Sequence, residues 1–291
     1  MEFLSALGSN PFVQNALMTG LLVSVACGVI GSYVVVRRIT YIAGGIAHCV
    51  LGGIGAALYF KQVHGLDWLH PLIGAVAAAL LAALIIGIVS LRAKQREDTV
   101  IGAVWAIGMA TGVLFMSQTP GYAQDAMSYL FGDILLVARG DLWLVALLDV
   151  IVVAIGVVFY NQFVAVCFDE EFARLRGAGV QRYYLLLLCL TALTVVLLTM
   201  VVGIVLVIAL LTLPVAVASH FAKRLWHMMI LATLISMAFT TAGIAISFTP
   251  EWPAGATIIV FAGAVYLLVV GFKNLPRLRG NNAGKDSDAA S

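Results

Sequence analysis

Charged residues are scarce in this sequence. They make up 10% of the 291 residues, whereas soluble domains carry about 25%. Hydrophobic residues account for 63% and the mean hydropathy is +1.07. Apolar segments recur along almost the whole chain, so the hydrophobicity does not come from a removable signal in front of a soluble body. The net charge of +2 is small and scattered, which excludes the concentrated basic face of a nucleic-acid-binding protein. The sequence therefore predicts an integral membrane protein.

Several chemical signatures are also missing. The four cysteines form no CxxC pair, which argues against a disulfide framework or a zinc knuckle. No nucleotide-binding loop is present, because the nearest string, GNNAGKD at residues 280–286, has the wrong glycine spacing and ends in Asp. No HExxH helix or recognisable Ser/His pairing occurs either. We therefore expect that the chain is not an enzyme, that it binds no cofactor, and that any ATP hydrolysis comes from another subunit.

Nine apolar segments are about as long as the roughly 20 residues that a helix needs to cross a bilayer. The sixth and seventh are separated only by residues 200–203, so both eight and nine spans are possible. The sequence predicts an all-α polytopic transmembrane bundle over residues 1–273, followed by a largely disordered polar tail at 274–291. The nine segments are approximately 15–36, 41–60, 71–91, 99–118, 141–160, 183–200, 203–220, 228–248 and 254–272.

The basic residues predict the orientation of the bundle. With nine spans, 14 of the 16 Lys and Arg residues fall on one side, leaving only Lys61 and Arg139 on the other. The positive-inside rule makes the populated side cytoplasmic. The sequence therefore favours nine spans, with the N-terminus outside (periplasmic or extracellular) and the C-terminus in the cytoplasm of a bacterial plasma (inner) membrane. The 14 residues are Arg37, Arg38, Arg92, Lys94, Arg96, Arg174, Arg176, Arg182, Lys223, Arg224, Lys273, Arg277, Arg279 and Lys285.

A histidine lies among glycines in the second segment, YIAGGIAHCVLGGIGAALYF. His48 follows Arg38 by ten residues, which corresponds to a depth of about 15 Å, near the middle of the bilayer. Gly44, His48, Gly52 and Ala56 share one helix face, which is almost bare of side chains and allows neighbouring helices to approach closely. The imidazole is a candidate ligand for a divalent metal. A structural histidine bonded to a carbonyl is the alternative.

Three carboxylates are further candidates for contact with a cation. Asp149 lies inside the fifth segment, where an ionisable residue needs a partner, a proton or a wet cavity. Pairing with His48 is conceivable, although nothing in the sequence establishes it. Asp125 and Asp133 fall in the segment between the fourth and fifth spans, where they could pass a hydrated cation inward or belong to a solvated loop.

The segment FDEEFARLRG, residues 168–177, is the centre of the longest polar insertion on the predicted inner side. It predicts a short amphipathic helix within residues 168–179, with an apolar stripe, an acidic start and a basic end that match the helix dipole. We favour docking of this helix into a groove on another protein, and a helix lying on lipid headgroups is the alternative. The candidate docking residues are Phe168, Asp169, Glu170, Phe172, Arg174, Leu175 and Arg176.

An ordered set of strings resembles the membrane permease subunit of ABC-type zinc, manganese and iron importers. The resemblance covers about residues 12–272 and includes no single decisive motif. The strings are GVIGSYVVVRRITYIAGGIAHCVLGGIG, REDTVIGAVWAIGMATGVLF, DAMSYLFGDILLV, FDEEFARLRG, VVGIVLVIALLTLPVAVAS and PAGATIIV.

The resemblance implies a fold similar to the vitamin-B12-type importer permease and a homodimer. It also implies two cytoplasmic ATPase subunits that use ATP and magnesium, and an extracytoplasmic protein that delivers the metal. The segment at 168–179 matches the family's coupling element, and His48 matches its midmembrane metal-ligand histidine. Many members carry Asp four residues before that histidine, whereas this chain has Gly44. The form present here resembles a zinc-type branch and makes manganese, which prefers oxygen ligands, less favoured.

Two alternatives to a zinc importer remain at the level of the sequence. The first keeps the importer architecture but carries manganese, iron or a metal chelate. The second is a transporter or channel that works without ATP, with Asp149 and His48 as a relay.

Overall fold

The structure, a computed structural model, describes residues 10–92, 97–120, 139–175, 177, 179–250 and 252–288. This part of the chain is helical and contains no strand. Its helices are α1 Pro11–Arg37, α2 Thr40–His64, α3 Pro71–Arg92, α4 Glu97–Gln118, α5 Arg139–Val158, α6 Tyr160–Phe168, α7 Glu170–Leu175, α8 Val180–Val202, α9 Ile204–Ser219, α10 Leu225–Phe248 and α11 Ala254–Asp288.

The helix boundaries follow from local chemistry. Asn10 caps α1, because its side chain accepts a hydrogen bond from the Phe12 amide at 3.0 Å while Pro11 occupies the first turn. Arg38 ends α1 in the left-handed region, at φ 62°, and Gly65 ends α2 in the same region at φ 66°. Arg38 is the only non-glycine residue with positive φ in the described chain. The turn between α1 and α2 is therefore short and conformationally restricted.

Every one of the nine predicted segments coincides with a helix, but not every helix is a full span. Seven described helices are long and apolar enough to cross a membrane, and α5 with α6, bent by 68° at Phe159, provides an eighth. Helix α9 has 16 residues, or about 24 Å, which is shorter than the hydrocarbon layer of about 30 Å. By length, the described residues thus give seven or eight full spans, and the prediction of nine depends on the short helix α9.

The core lies around α1, α2 and α8, whose residues are mostly buried. Helix α2 packs against α3 and α4, while α1 packs against α10, α5 and α9. By contrast, α4 and α11 leave most of their residues uncovered within one copy of the chain. Helix α11 continues to Asp288, into the tail for which the sequence predicts disorder, and that disorder stays a prediction.

Candidate functional site

His48 is the ninth of the 25 residues of α2 and faces α4. Its ring stacks on the indole of Trp105, with the ring centroids 4.3 Å apart and the planes at 12°. The Nδ1 atom is buried and has no hydrogen-bond partner. Buried polar nitrogens are nearly always paired in proteins, so an unpaired one needs an explanation such as a missing ligand. The structure therefore does not supply the carbonyl partner that a purely structural histidine would need at Nδ1.

Glycines bring the backbones of α2 and α4 into direct contact in the turns of α2 that follow His48. A Cβ atom added at Gly52 would lie 2.6 Å from the Gly108 carbonyl oxygen, and one added at Gly55 would lie 2.7 Å from the Gly112 oxygen. The Cys49 thiol also donates to the Val104 carbonyl oxygen at 3.2 Å. The predicted close approach along this bare face is thus confirmed, and it fixes the position of Trp105 relative to His48.

Helix α3 approaches α2 in the same way. The contact is formed by Gly53 and Gly74, where a Cβ atom on either residue would collide with the other's backbone. The glycine-rich sequence of α2 therefore accommodates two neighbouring helices at once, and His48 lies on the helix that joins them.

Gly44, one turn before His48, is bordered by apolar carbon. A Cβ atom there would meet Ile208 Cδ1 of α9 at 3.5 Å, an ordinary van der Waals contact. Gly44 therefore contributes no carboxylate to this face of α2.

Asp149 lies at a different helix interface. Its side chain on α5 is 5% exposed, and Oδ1 accepts a hydrogen bond of 3.1 Å from the backbone amide of Ala26 on α1. On the same helix, Ser24 is buried and its hydroxyl accepts a hydrogen bond from Ser236 of α10 at 3.1 Å. Asp149 and His48 thus have separate neighbours, and their pairing finds no support in these contacts.

No cluster of three or more His, Cys, Asp or Glu side chains suited to hold a metal ion occurs within the described ranges. Asp125 and Asp133 lie outside those ranges, so their role stays a prediction. Among the described candidates, His48 therefore stands alone as a possible ligand at its site.

The predicted docking segment consists of two helices rather than one of about ten residues. Helix α6 ends at Phe168 and the six-residue α7 begins at Glu170, with Asp169 between them. The break is tight, because the Asp169 amide bonds to Ala165 and the Asp169 carbonyl accepts from the Ala173 amide. Gly177, at φ 75°, follows α7 as the predicted glycine stop.

Two apolar side chains of this segment project into the surroundings. Phe168 is 64% exposed and Leu175 is 87% exposed, whereas Ala173 between them is buried. The side chain of Phe172 and the whole of Arg176 lie outside the described part of the chain. Two exposed apolar side chains, Phe168 and Leu175, therefore lie at the two ends of α7.

Glu170 faces inward and joins the segment to the rest of the bundle. Its carboxylate accepts hydrogen bonds from Arg37 at 2.6 Å and from Arg174 at 2.5 Å. Arg37 also lies over the ring of Tyr184, 5.5 Å from its centroid. Glu170 therefore contacts the end of α1 within the chain, and its predicted contact with a partner stays a prediction.

The environment of Glu170 favours the charged form. Burial raises the pKa of its carboxyl, but hydrogen bonds and positive charges from Arg37 and Arg174 outweigh burial and bring the pKa below its ordinary value. These residues border a cavity of about 370 Å³ where the ends of α1 and α3 meet α7 and α8, lined by Arg37, Arg38, Ile39, Ser90, Leu91, Glu170, Arg174 and Tyr184.

Two contacts at the candidate sites have no clear signal in the sequence. Trp105 is one apolar residue among many in its segment, and nothing in the sequence places its indole on an imidazole of another helix. Arg37 was recognised only as a charge at the end of a span. Both contacts join residues far apart in the chain, and only the packing of the helices brings them together.

The fold and the site together define a polytopic helical membrane protein with a mid-bundle imidazole and a short helix on one face that is tied to the bundle by charge. Residues 9–273 match the ABC 3 transport family, and the chain belongs to that family. The resemblance recognised from the sequence is thereby confirmed.

Relatives cover almost the whole chain. An uncharacterized membrane protein of Synechocystis is 42% identical over 90% of this chain and 91% of its own length. A probable metal transport system membrane protein of Chlamydia trachomatis is 38% identical over 89% of this chain and 88% of its own. The manganese transport system membrane protein MntC of Halalkalibacterium halodurans is 33% identical over 93% and 90%.

Solved structures confirm the fold class. PsaBC from Streptococcus pneumoniae, in complex with Fab, aligns with a TM-score of 0.81 and 28% identity over 92% of this chain and 94% of that chain. A metal-chelate type ABC transporter in an inward-facing conformation aligns with a TM-score of 0.72 over 89% and 85%. Its identity of 13% makes it evidence for the fold alone.

Proposed function

We propose that this chain is the permease of an ATP-driven importer of divalent metal ions and that zinc is its cargo. The observation that carries the proposal is the buried, unpaired Nδ1 of His48 on α2. A neutral imidazole nitrogen binds divalent metals, and an unmet nitrogen in a helical membrane bundle gains most from such a ligand. The proposal also rests on family membership and on relatives that are named metal transport proteins.

The donor chemistry favours zinc. Imidazole suits zinc, copper, iron and nickel, whereas manganese prefers carboxylate and carbonyl oxygens. Gly44 contributes no carboxylate, and Ile208 borders its position with apolar carbon. A site with one imidazole and exchangeable water would also release its ion, which a closed four-ligand zinc site would not.

Manganese is the second candidate, because a relative 33% identical over 93% of this chain is named a manganese permease. In that case further oxygen ligands must come from groups other than Gly44.

The proposed transport cycle needs three partners. A second copy of the chain would complete the pathway, an ATPase pair would dock against Phe168 and Leu175, and an extracytoplasmic protein would deliver the metal. Closure of the ATPases would move α7, and the ion pair between Glu170 and Arg37 would carry that movement to α1. In this scheme α7 faces the cytoplasm, the N-terminus lies outside, and the C-terminus lies inside.

The test is metal-stimulated ATP hydrolysis and uptake by the permease reconstituted with its ATPase and binding protein. We expect zinc to stimulate more strongly than manganese, and His48→Ala to reduce stimulation at least about tenfold while leaving membrane insertion intact, since a lost ligand removes the whole metal contact. His64→Ala, at the end of the same helix, is the matched control and should transport normally.

The opposite results would reject specific parts of the proposal. Normal metal-stimulated turnover in His48→Ala would remove His48 from the pathway. Stronger stimulation by manganese would change the cargo. Uptake by the chain alone, driven by a gradient and indifferent to ATP, would replace the importer with a secondary transporter.

A further inference from the structure

We infer that Trp105 is a positioning residue for the transported ion, acting through the imidazole of His48. This inference rests on the proposed function. Its starting point is the stack between the two rings, at 4.3 Å and 12°, which joins α4 to α2 at the height of the unpaired Nδ1.

The geometry of the stack suits a metal ligand. The lone pair of an imidazole nitrogen lies in the plane of the ring, whereas the indole covers one face of it. Stacking therefore leaves the coordinating direction free while it restricts rotation of the ring. A near-parallel stack at this separation is one of the favourable arrangements of aromatic rings.

Restriction matters more here than at a site with several ligands. In the described chain, no group of three or more His, Cys, Asp or Glu residues surrounds His48, so no closed ligand set of this chain fixes the direction of the imidazole. A lone ligand that rotates freely must lose that freedom on binding, which weakens affinity. Because Trp105 already restricts the ring of His48, little rotational freedom remains to be lost when the ion binds.

The position of Trp105 is itself fixed. The glycine contacts between α2 and α4 lie on the same helix pair, and the Cys49 thiol bonds to the carbonyl of Val104, the residue next to Trp105. The ring of Tyr41 supports the indole from α2, with centroids 5.9 Å apart. Because the two backbones touch, the stack should survive movement of the bundle, and the imidazole should keep one orientation throughout the cycle.

The experiment replaces Trp105 with Ala, Phe or Leu in the reconstituted complex and measures the KM for zinc and the maximal uptake rate separately. We expect Trp105→Ala to raise KM about fivefold with little change in maximal rate, because one stacked pair is lost. Trp105→Phe retains an aromatic face and should restore most of the affinity. Trp105→Leu keeps apolar volume without a ring face and should behave like Ala. Ile107→Ala, at a residue that is 65% exposed on the same helix, is the control and should have no effect.

A spectroscopic measurement tests the same contact without transport. Co²⁺ alone is titrated into the purified complex while tryptophan fluorescence is recorded. We expect quenching that disappears in both Trp105→Phe and His48→Ala, since the ion would lie beside the stacked rings.

The outcomes separate this inference from the proposed function. If Trp105→Ala and Trp105→Leu match the unmodified protein while His48→Ala is inactive, the positioning role is wrong and the metal pathway stands. If Leu restores the affinity as well as Phe does, Trp105 only fills space and the inference is overturned. If His48→Ala is also fully active, the proposed function itself fails.

Discussion

His48 and Glu170 are polar residues in opposite circumstances. His48 has a nitrogen without a partner in a unit whose backbones are in contact, whereas Glu170 has two arginine partners at the edge of the bundle. An unmet group held rigidly is suited to receive a ligand, and a fully paired group between two elements is suited to transmit movement. The comparison thus favours His48 as the place to bind an ion and Glu170 as the place to transmit movement between α7 and α1.

The largest expected effect is on association with the ATPase, and it should leave metal binding near His48 unchanged. Leu175→Glu places a charge on the exposed surface beside α7 and should weaken association with the ATPase at least tenfold, since a desolvated charge in an apolar contact costs about 2 kcal/mol or more. Copurification of the two subunits measures this, and Leu175→Met is the control. A charge at Phe172 is predicted to uncouple hydrolysis from uptake in the same way.

Co²⁺ binding near His48 should not change in these variants. Unchanged copurification and coupling in Leu175→Glu would support a helix lying on lipid headgroups instead.

The second effect acts on the binding region alone. Gly108→Ala would bring a Cβ atom 2.6 Å from Cys49 Sγ and 2.8 Å from its Cα, which forces α4 away from α2. We expect a loss of about 1 to 3 kcal/mol of stability, together with weaker zinc stimulation. Thermal unfolding in detergent measures the first quantity.

Gly263→Ala is the matched control for Gly108→Ala, because no atom lies within 4 Å of the added Cβ. Equal unfolding temperatures for the two variants would show that the α2–α4 contact is not tight.

A double-mutant cycle tests the ion pair between α1 and α7. Arg37→Ala, Glu170→Ala and the double variant should give a coupling energy of about 1 kcal/mol, the upper end for a partly exposed pair. The ratio of zinc uptake to ATP hydrolysis should fall in both single variants by a similar amount. Additive effects of the two substitutions would contradict a direct link.

The smallest effect concerns pH. The pKa of Glu170 lies below its ordinary value in the folded protein. The stabilisation from its ionised carboxylate is therefore fully present above the pKa that Glu170 has in the unfolded chain. This stabilisation is lost as the pH falls through the pKa of the folded protein. We expect the anchoring of α7 to weaken as the pH falls below the ordinary range of a glutamate carboxyl, measured by hydrogen exchange of its amides. Glu170→Gln should remove this pH dependence, and an identical pH profile in that variant would assign the effect to another group.

The sequence was sufficient to predict the long apolar helices, but it predicted few of the contacts between them. Hydrophobic runs located all nine apolar segments because burial in a bilayer demands length and low charge. The glycine face of α2 predicted close packing for the same local reason. The sequence could not show that Glu170 turns inward, because its partner Arg37 is 133 residues away. Nor could it fix the length of α9, since no polar loop separates it from α8.

The restricted turn at Arg38 has a mechanical consequence. With only two residues between α1 and α2, and one of them in the left-handed region, the joint has little room to bend. Arg37, which binds Glu170, is therefore joined stiffly to α2, and the imidazole of His48 lies about 12 Å along α2 from Thr40. A displacement of α7 should therefore move α1 and α2 together, and bending at the turn between them should absorb little of it.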